Sequence, residues 1–356
     1  MTMTATCRHS DIEYLQNNLQ INPAKFSIIH GNILAHQELQ FEVHKKKDKE
    51  IEIIKQLIDL IEEIKEGRII IYCARKKDCD NLIKKKETRI MIMTTAFEMG
   101  MDIDDVRLVI YYSYPFSITN LVQGSERARR DNNHSKSIVL YSKNDLQNNY
   151  SILIENKESM ISENYTRSLK VYNIEQNLFE VIFYCIDLYR CRQIILWQYF
   201  AWPNDMIPTS CNICDNCRRR IHDKLKEINA VQEVQKLVEL VEELTNRFDS
   251  EIILLDIVEL FRFADNSRLR KRGFDTIIEE RAEALRIGKQ SKSKILKNKN
   301  LVTFVFWDLV CRGLVKQKIV IHQTIANHRI CSVVVCGVEN GAKEHLLQEN
   351  WTYWCK

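Results

Sequence analysis

Apolar positions recur along this chain with two periods, and the switches between them divide it. Between residues 48 and 65, Ile51, Ile54, Leu57, Ile58, Ile61 and Ile64 follow three- and four-residue steps, the spacing of one face of a helix. Four short apolar runs come next: RIIIYC (68–73), RIMIMT (89–94), VRLVIYY (106–112) and SIVLYS (137–142). Runs of this kind, separated by helical patterns such as 76–86, predict strands of a parallel α/β sheet. The turn from 74 to 88 is long enough for a one-helix crossover. A mostly helical stretch follows from about 145 to 220. The last region opens with a Val-, Leu- and Glu-rich helical pattern (231–244), continues with helical segments at 250–263 and 301–312, and closes with the β-like runs KQKIVIH (316–322) and RICSVVVCGV (329–338). Helices followed by a hairpin predict a winged helix, a relative of the helix-turn-helix. The expected domains are 1–149, 150–220 and 221–356, with no internal repeat.

Composition adds bounds. With 356 residues, 45% of them hydrophobic, the chain can build two or three cores. Charged residues make up 28% with both signs mixed, so a packed rather than disordered chain is expected. The net charge of +4 says little, but residues 266–299 carry eleven Lys and Arg against four Asp and Glu. The dense parts are RLRKRG (268–273) and KQSKSKILKNK (289–299). Arg268, Arg270, Lys271 and Arg272 are therefore candidate phosphate contacts of a DNA-binding face. His322 and His328, near the hairpin tip, read as ordinary surface histidines. The first fifteen residues hold no apolar core of a secretory signal, and the most apolar stretch, 301–315, is interrupted by Asp308 and Arg312. No membrane partner is expected. Twelve cysteines in such a chain point to a reducing compartment and to metal rather than disulfides.

Three of those cysteines form SCNICDNC, with Cys211, Cys214 and Cys217 each three apart. A Cys-x2-Cys turn presents two thiolates to one tetrahedral ion, and a third at the same step extends it. The fourth ligand must come from elsewhere. Cys191, in YRCRQIILWQYF on the expected preceding helix, is the leading candidate, and Cys185, six positions earlier, is the rival. Four thiolates leave no open position for water, so the expected ion is structural Zn2+.

The string CRQIILWQYF…CNICDNC resembles the zinc-binding region of RecQ-family DNA helicases. Further strings agree in family order. TMTATC (2–7) is similar to the Thr-Ala-Thr motif that closes the first motor lobe, and IIIYCARKKDCDNL (69–82) to motif IV. TTAFEMGMDIDDVRLVI (94–110) resembles motif V, and QGSERARRD (123–131) motif VI. The last region is similar to the winged-helix domain that follows zinc in this family. The resemblance implies a second RecA-like lobe of P-loop NTPase type, a helical zinc-binding subdomain and a winged helix. It implies ATP-dependent 3′-to-5′ DNA unwinding in repair, recombination or replication, a nuclear location, and single-stranded or branched duplex DNA as partner. Arg127 and Arg130 match the motif VI arginines, whose rigid charged forks can neutralise charge developing on a γ-phosphate. Gln123 and Asp102 match positions coupling the nucleotide cleft to the lobe, and Arg75 and Thr95 match positions near the DNA backbone.

The sequence also departs from the family. It contains no GxxxxGK[ST] and no Asp-Glu-x-His; RIGKQSK (286–292) has Gln where the magnesium-binding hydroxyl belongs. The first motor lobe is expected to be missing, and ATP with Mg2+ to bind only when such a lobe completes the site. Motifs IV and V are closer together than in the family, which predicts a shortened sheet. Glu98, Glu126 and Arg129 stand where the family has glycine. The chain alone is therefore expected to be inactive. The alternatives are a non-catalytic, zinc-stabilised DNA-binding protein or a decayed helicase gene product.

Overall fold

A computed structural model describes residues 7–20, 22, 27, 38–82, 89–94, 103–129, 133–142, 145–146, 148–153, 167–223, 226–323, 329–342, 346 and 351–355. They form two compact units, 1–149 with 180–223, and 150–179 with 224–356.

The first unit is built on a parallel sheet of β1 (Leu39–Lys45), β2 (Arg68–Cys73), β3 (Ile90–Thr94), β4 (Val106–Tyr111) and β5 (Ser135–Tyr141), in the order β1-β5-β4-β2-β3. Four of these are the expected strands. Ile69, Ile70 and Ile71 of β2 and Leu108, Val109 and Ile110 of β4 are almost wholly buried, which is why their runs are continuously apolar. β1 was not expected. Its LQFEVHK alternates apolar and polar residues and pairs on one side only, with β5, so it has no continuous apolar run. The helices here are α1 (Ile12–Asn18), α2 (Glu50–Glu62), α3 (Lys76–Leu82) and α4 (Ile118–Ser125). In α2 the expected stripe is used only in part: Leu57 and Ile61 are buried, together with Leu60 from outside it, while Ile51 is 83% exposed. α4 starts at Ser117, whose hydroxyl accepts the Asn120 N–H at 2.9 Å. Gly124 lets α4 lie against the sheet, because a Cβ there would overlap the Tyr111 hydroxyl. That hydroxyl donates to the Asn120 and Leu121 carbonyls at 2.9 and 3.0 Å. A short 3-10 helix, Glu126–Arg129, follows.

The expected helical stretch appears as α5 (Arg167–Ile186), α6 (Arg192–Phe200) and α7 (Asp215–Asp223), with α5 contributing residues to both units.

The second unit contains β6 (Lys226–Asn229), α8 (Val231–Arg247), β7 (Ile252–Ile253), α9 (Leu254–Phe261), α10 (Ser267–Lys271), α11 (Asp275–Arg286), α12 (Lys299–Cys311), β8 (Val315–Gln323), β9 (Arg329–Val338) and β10 (Thr352–Cys355). β8 and β9 form the expected antiparallel hairpin; its tip, with His328, lies outside the described residues. The 250–263 segment is not helical throughout. Ile252 and Ile253 pair with Val335 and Val334, making a three-stranded sheet β7-β9-β8. A two-residue strand has no periodicity of its own; partners 83 and 81 positions away supply it. β10 pairs antiparallel with β6. Asn298 caps α12 by accepting the Leu301 N–H at 2.8 Å, and Gly313, at φ +75°, ends the turn after it. α12 is buried around nearly its whole circumference, from Leu301 to Val310. A helix so enclosed packs the core rather than docking in a groove.

Candidate metal centre and motor-lobe site

Two turns bring four sulfurs together. Cys191 is not on a helix, as expected, but at the cap position before α6, with φ −58° and ψ 127°. Cys211 and Cys214 lie in the turn before α7, and Cys217 lies in its first turn. Asn212 takes a left-handed φ of +61°, a conformation that a short amide side chain tolerates. The four Sγ atoms all lie within 4.8 Å of one another. Cys211 Sγ and Cys217 Sγ are 3.8 Å apart. A tetrahedron of Zn–S bonds of about 2.3 Å has edges of about 3.8 Å, so the spacing fits the ion. Cys191, Cys214 and Cys217 are at most 3% exposed. Cys185 is not in the quartet. It is buried on α5, where desolvation pushes its thiol up to about 12.

Backbone N–H groups point at the sulfurs. Cys211 N donates to Cys191 Sγ at 3.3 Å, Cys214 N to Cys211 Sγ at 3.4 Å, and both Arg192 N and Cys217 N to Cys214 Sγ at 3.4 Å. The Arg220 guanidinium reaches Cys217 Sγ at 3.2 Å. These donors disperse thiolate charge. Among themselves the thiols cannot all ionise: hydrogen bonds with Cys191, Cys211 and Cys214 drive Cys217 down, while those with Cys191, Cys211 and Cys217 drive Cys214 up. A dication removes that conflict, since metal ligation requires the thiolate form. The quartet is a structural zinc site with no open position.

A buried arginine supports it. Arg192, 0% exposed, donates to both carboxylate oxygens of Asp215 at 3.0 Å, to Asn216 Oδ1 at 3.3 Å and to the Tyr184 carbonyl. Asn216 in turn donates to the carbonyls of Asp187 and Arg190 at 2.9 and 2.8 Å. The network reaches the sheet. Asp215 accepts from Val43 N at 3.4 Å, Gln193 donates to the Leu39 carbonyl at 2.7 Å, and Arg218 pairs with Glu42 at 2.7 Å. Burial alone would raise the Glu42 carboxyl; hydrogen bonds from His44 and Arg218 outweigh it and hold it at about 2. The knuckle is thereby joined to edge strand β1, the strand that local pattern did not reveal.

The motor-lobe candidates cluster less completely. Arg75 follows β2 and donates to the Asn148 carbonyl at 3.4 Å. Gln123 is exposed in the last turn of α4, and Arg127 is half-buried in the 3-10 helix. Thr95, Asp102 and Arg130 lie outside the described residues, as does Glu98. Glu126 has φ −63° and ψ −15°, so its position requires no glycine conformation. One residue at the same sheet edge escaped the sequence reading. Lys46, 6% exposed after β1, pairs with Asp145 at 3.0 Å and lies 3.8 Å from the centre of the Tyr112 ring. Within the run HKKKDKE nothing distinguishes it from its solvated neighbours.

In the second unit Arg268 binds Asp256 and Glu259, both at 2.8 Å, and Arg272 binds Asp256 at 2.9 Å and the Glu251 carbonyl. Arg270 pairs with Asp265 at 2.7 Å. Lys271 faces solvent. Lys289, Lys292, Lys294 and Lys297 are exposed, and among the described residues they form no ion pair.

Two family models match the chain: the helicase conserved C-terminal domain over residues 81–132, and the RecQ zinc-binding domain over 153–218, which contains all four cysteines. With the parallel sheet, they define the class: a C-terminal RecA-like helicase lobe followed by a zinc-binding module. The ATP-dependent helicase SGS1 of Saccharomyces cerevisiae is 26% identical over 47% of this chain and 11% of that protein. The ATP-dependent DNA helicase Q1 of Mus musculus is 24% identical over 46% of this chain and 22% of that protein. A putative ATP-dependent DNA helicase Q1 of Caenorhabditis elegans is 30% identical over 38% of this chain and 20% of that protein. The matches thus span from about a tenth to about a fifth of these relatives' lengths. The second domain of the DEAD-box helicase Mss116p, bound to an RNA duplex, is similar at 14% identity and a TM-score of 0.23, over 45% of this chain and 86% of that one; the fold assignment does not rest on it. The chain is thus similar to RecQ-family DNA helicases over a helicase C-terminal region and a zinc-binding region. Among the described residues no helix is long and apolar enough to cross a membrane.

Proposed function

We propose that this chain supplies the second motor lobe, zinc module and winged-helix region of a nuclear, ATP-dependent 3′-to-5′ DNA helicase acting in repair, recombination or replication. The observation that carries the reading is the hydrogen-bonded join between zinc knuckle and sheet, because it makes lobe and module one unit. In this reading Arg127 and Arg130 present guanidinium forks to a γ-phosphate held by a first lobe, which also holds Mg2+. Gln123 and Asp102 couple that cleft to the sheet, and Arg75 and Thr95 hold the DNA backbone. The sheet order β7-β9-β8 behind packed helices supports a winged helix, with its hairpin as the wing. The division 1–149, 150–220 and 221–356 then follows function: motor, zinc module and DNA-binding domain.

In this reading DNA contacts fall on only part of the basic segment. Arg268, Arg270 and Arg272 are engaged by carboxylates, so the phosphate contacts lie with Lys271 and the exposed lysines 289, 292, 294 and 297. Replacing those four lysines by Gln is expected to flatten the dependence of log affinity on log salt by roughly 3 to 4, at about 0.9 per phosphate contact. An unchanged slope for single-stranded and forked DNA rejects this assignment.

The sequence contains no phosphate-cradling GxxxxGK[ST], and that favours a second reading for the chain unaided: a zinc-stabilised DNA-binding module without catalysis. The purified chain is expected to bind DNA without response to ATP and to show no DNA-stimulated ATPase. Robust turnover overturns that second reading. Absence of turnover even with a P-loop lobe added in trans overturns the first.

A further inference from the structure

Helix α6 has a different neighbour at each end. At its start stand Cys191 and the buried Arg192, and Ile194 in its first turn packs against the cysteine cluster. The Cys191 carbonyl accepts the Ile195 N–H at 3.1 Å, so a zinc ligand closes the first turn of the helix. At the far end, about 14 Å away for a helix of nine residues, Tyr199 and Trp202 meet residues 7–9. Trp202 Nε1 donates to the Cys7 carbonyl at 3.4 Å. Its ring meets that of His9 edge to face, with centres 5.1 Å apart at 81°. Asp205 fixes Trp202 by accepting its backbone N–H at 2.8 Å. Arg8 lies over the Tyr199 ring, its Cζ 5.0 Å from the ring centre.

Charge reinforces this contact. The Tyr199 hydroxyl hydrogen-bonds to the Glu180 carboxylate of α5. Glu180 Oε2 is buried and has no hydrogen-bond partner among the described residues. Burial pushes this carboxyl up, and the Arg8 charge is the largest influence opposing it. Arg8 is itself aimed by Asp11, which accepts from its Nε at 3.0 Å and from its Nη2 at 2.9 Å. Among the described side chains of residues 7–20 none is fully buried, so docking of this segment depends on these few contacts. We propose that α6 is a coupling strut: the zinc quartet fixes its start, its Tyr199–Trp202 end holds residues 7–9, and metal retention and docking of the N-terminal segment stabilise each other. Such coupling is reciprocal, so loosening either end loosens the other. That the held segment leads to a first motor lobe rests on the proposed function; the strut itself does not.

The test uses the full zinc-loaded chain with neither nucleotide nor DNA, so its outcome is independent of the helicase reading. Arg8→Met removes the charge over Tyr199, and Trp202→Phe keeps a ring for His9 but removes the donor to Cys7. Both are expected to speed amide hydrogen exchange across residues 8–18. Both are also expected to speed zinc transfer to a chromophoric chelator at least about fivefold, the low end of couplings between sites. Ile110→Val, at the wholly buried centre of β4, loosens the same unit without touching the strut and is expected to leave both rates unchanged. Faster exchange with unchanged zinc transfer shows a docked segment that is not coupled, and overturns the proposal. Unchanged exchange in both variants, or equal acceleration of zinc transfer in Ile110→Val, overturns it as well.

Discussion

Two arginine clusters in this protein look alike in sequence and differ in what they do. Arg192, the first residue of α6 after Cys191, is wholly buried and holds Asp215 with two parallel hydrogen bonds. Arg268, Arg270 and Arg272 of the RLRKRG string remain 32–40% exposed at their side chains and reach carboxylates from the solvent side. The first cluster links a metal knuckle to a sheet. The second ties α10 to the buried Asp256 at the start of α9 and presents little free charge. The comparison teaches that a dense basic string is not by itself a nucleic-acid contact. What matters is whether carboxylates brought close by the fold claim it, and here Asp256, Glu259 and Asp265, 5 to 16 positions earlier, do.

The contrast can be broken by substitution. The largest effect is expected at the metal: Cys214→Ser removes a wholly buried ligand, and structural zinc contributes on the order of 10 kcal/mol in small zinc domains. Loss of bound zinc, measured by atomic absorption, should coincide with loss of the cooperative thermal transition of the first unit. A variant that keeps both shows that these sulfurs hold no ion. Next, Arg192→Ala leaves Asp215 without its buried partner and is expected to cost about 3–5 kcal/mol in denaturant unfolding. A cost under 1 kcal/mol would mean that Asp215 finds water instead. Asp256→Ala should cost less, about 1–3 kcal/mol, because Arg268 and Arg272 can turn to solvent, although Asp256 also accepts the Ile253 N–H at 3.0 Å. Arg270→Ala, on the exposed rim of the same cluster, should leave Tm unchanged, as isolated surface pairs do. If it destabilises as much as Asp256→Ala, the proposed difference between buried and rim partners is wrong.

The Glu42 carboxylate sharpens the comparison through pH. Its pKa of about 2 in the folded protein lies below its ordinary value of 4.5. Its contribution is therefore fully present above 4.5 and is lost as pH falls toward 2. Thermal scans across that window should show a steeper loss of stability in the wild type than in Glu42→Gln. Parallel curves would detach Glu42 from the join between sheet and zinc knuckle.

Much of the molecule was decided by local pattern. The buried runs of β2 to β5, the terminal hairpin and the three cysteines at steps of three are legible in the sequence, because period and spacing depend only on residues close along the chain. So is the resemblance to a family, since several short strings occur in one order. The tertiary structure decided what depends on distant partners. Cys191 rather than Cys185 joins the quartet because the chain turns before α6, leaving Cys185 inside α5. β1 is a strand because β5 pairs with it, and β7 because β9 does. Whether Lys46 or Arg268 meets solvent or a carboxylate was settled by residues 99 and 12 positions away. Burial and charge pairing are properties of the folded surface, and no window of sequence contains them.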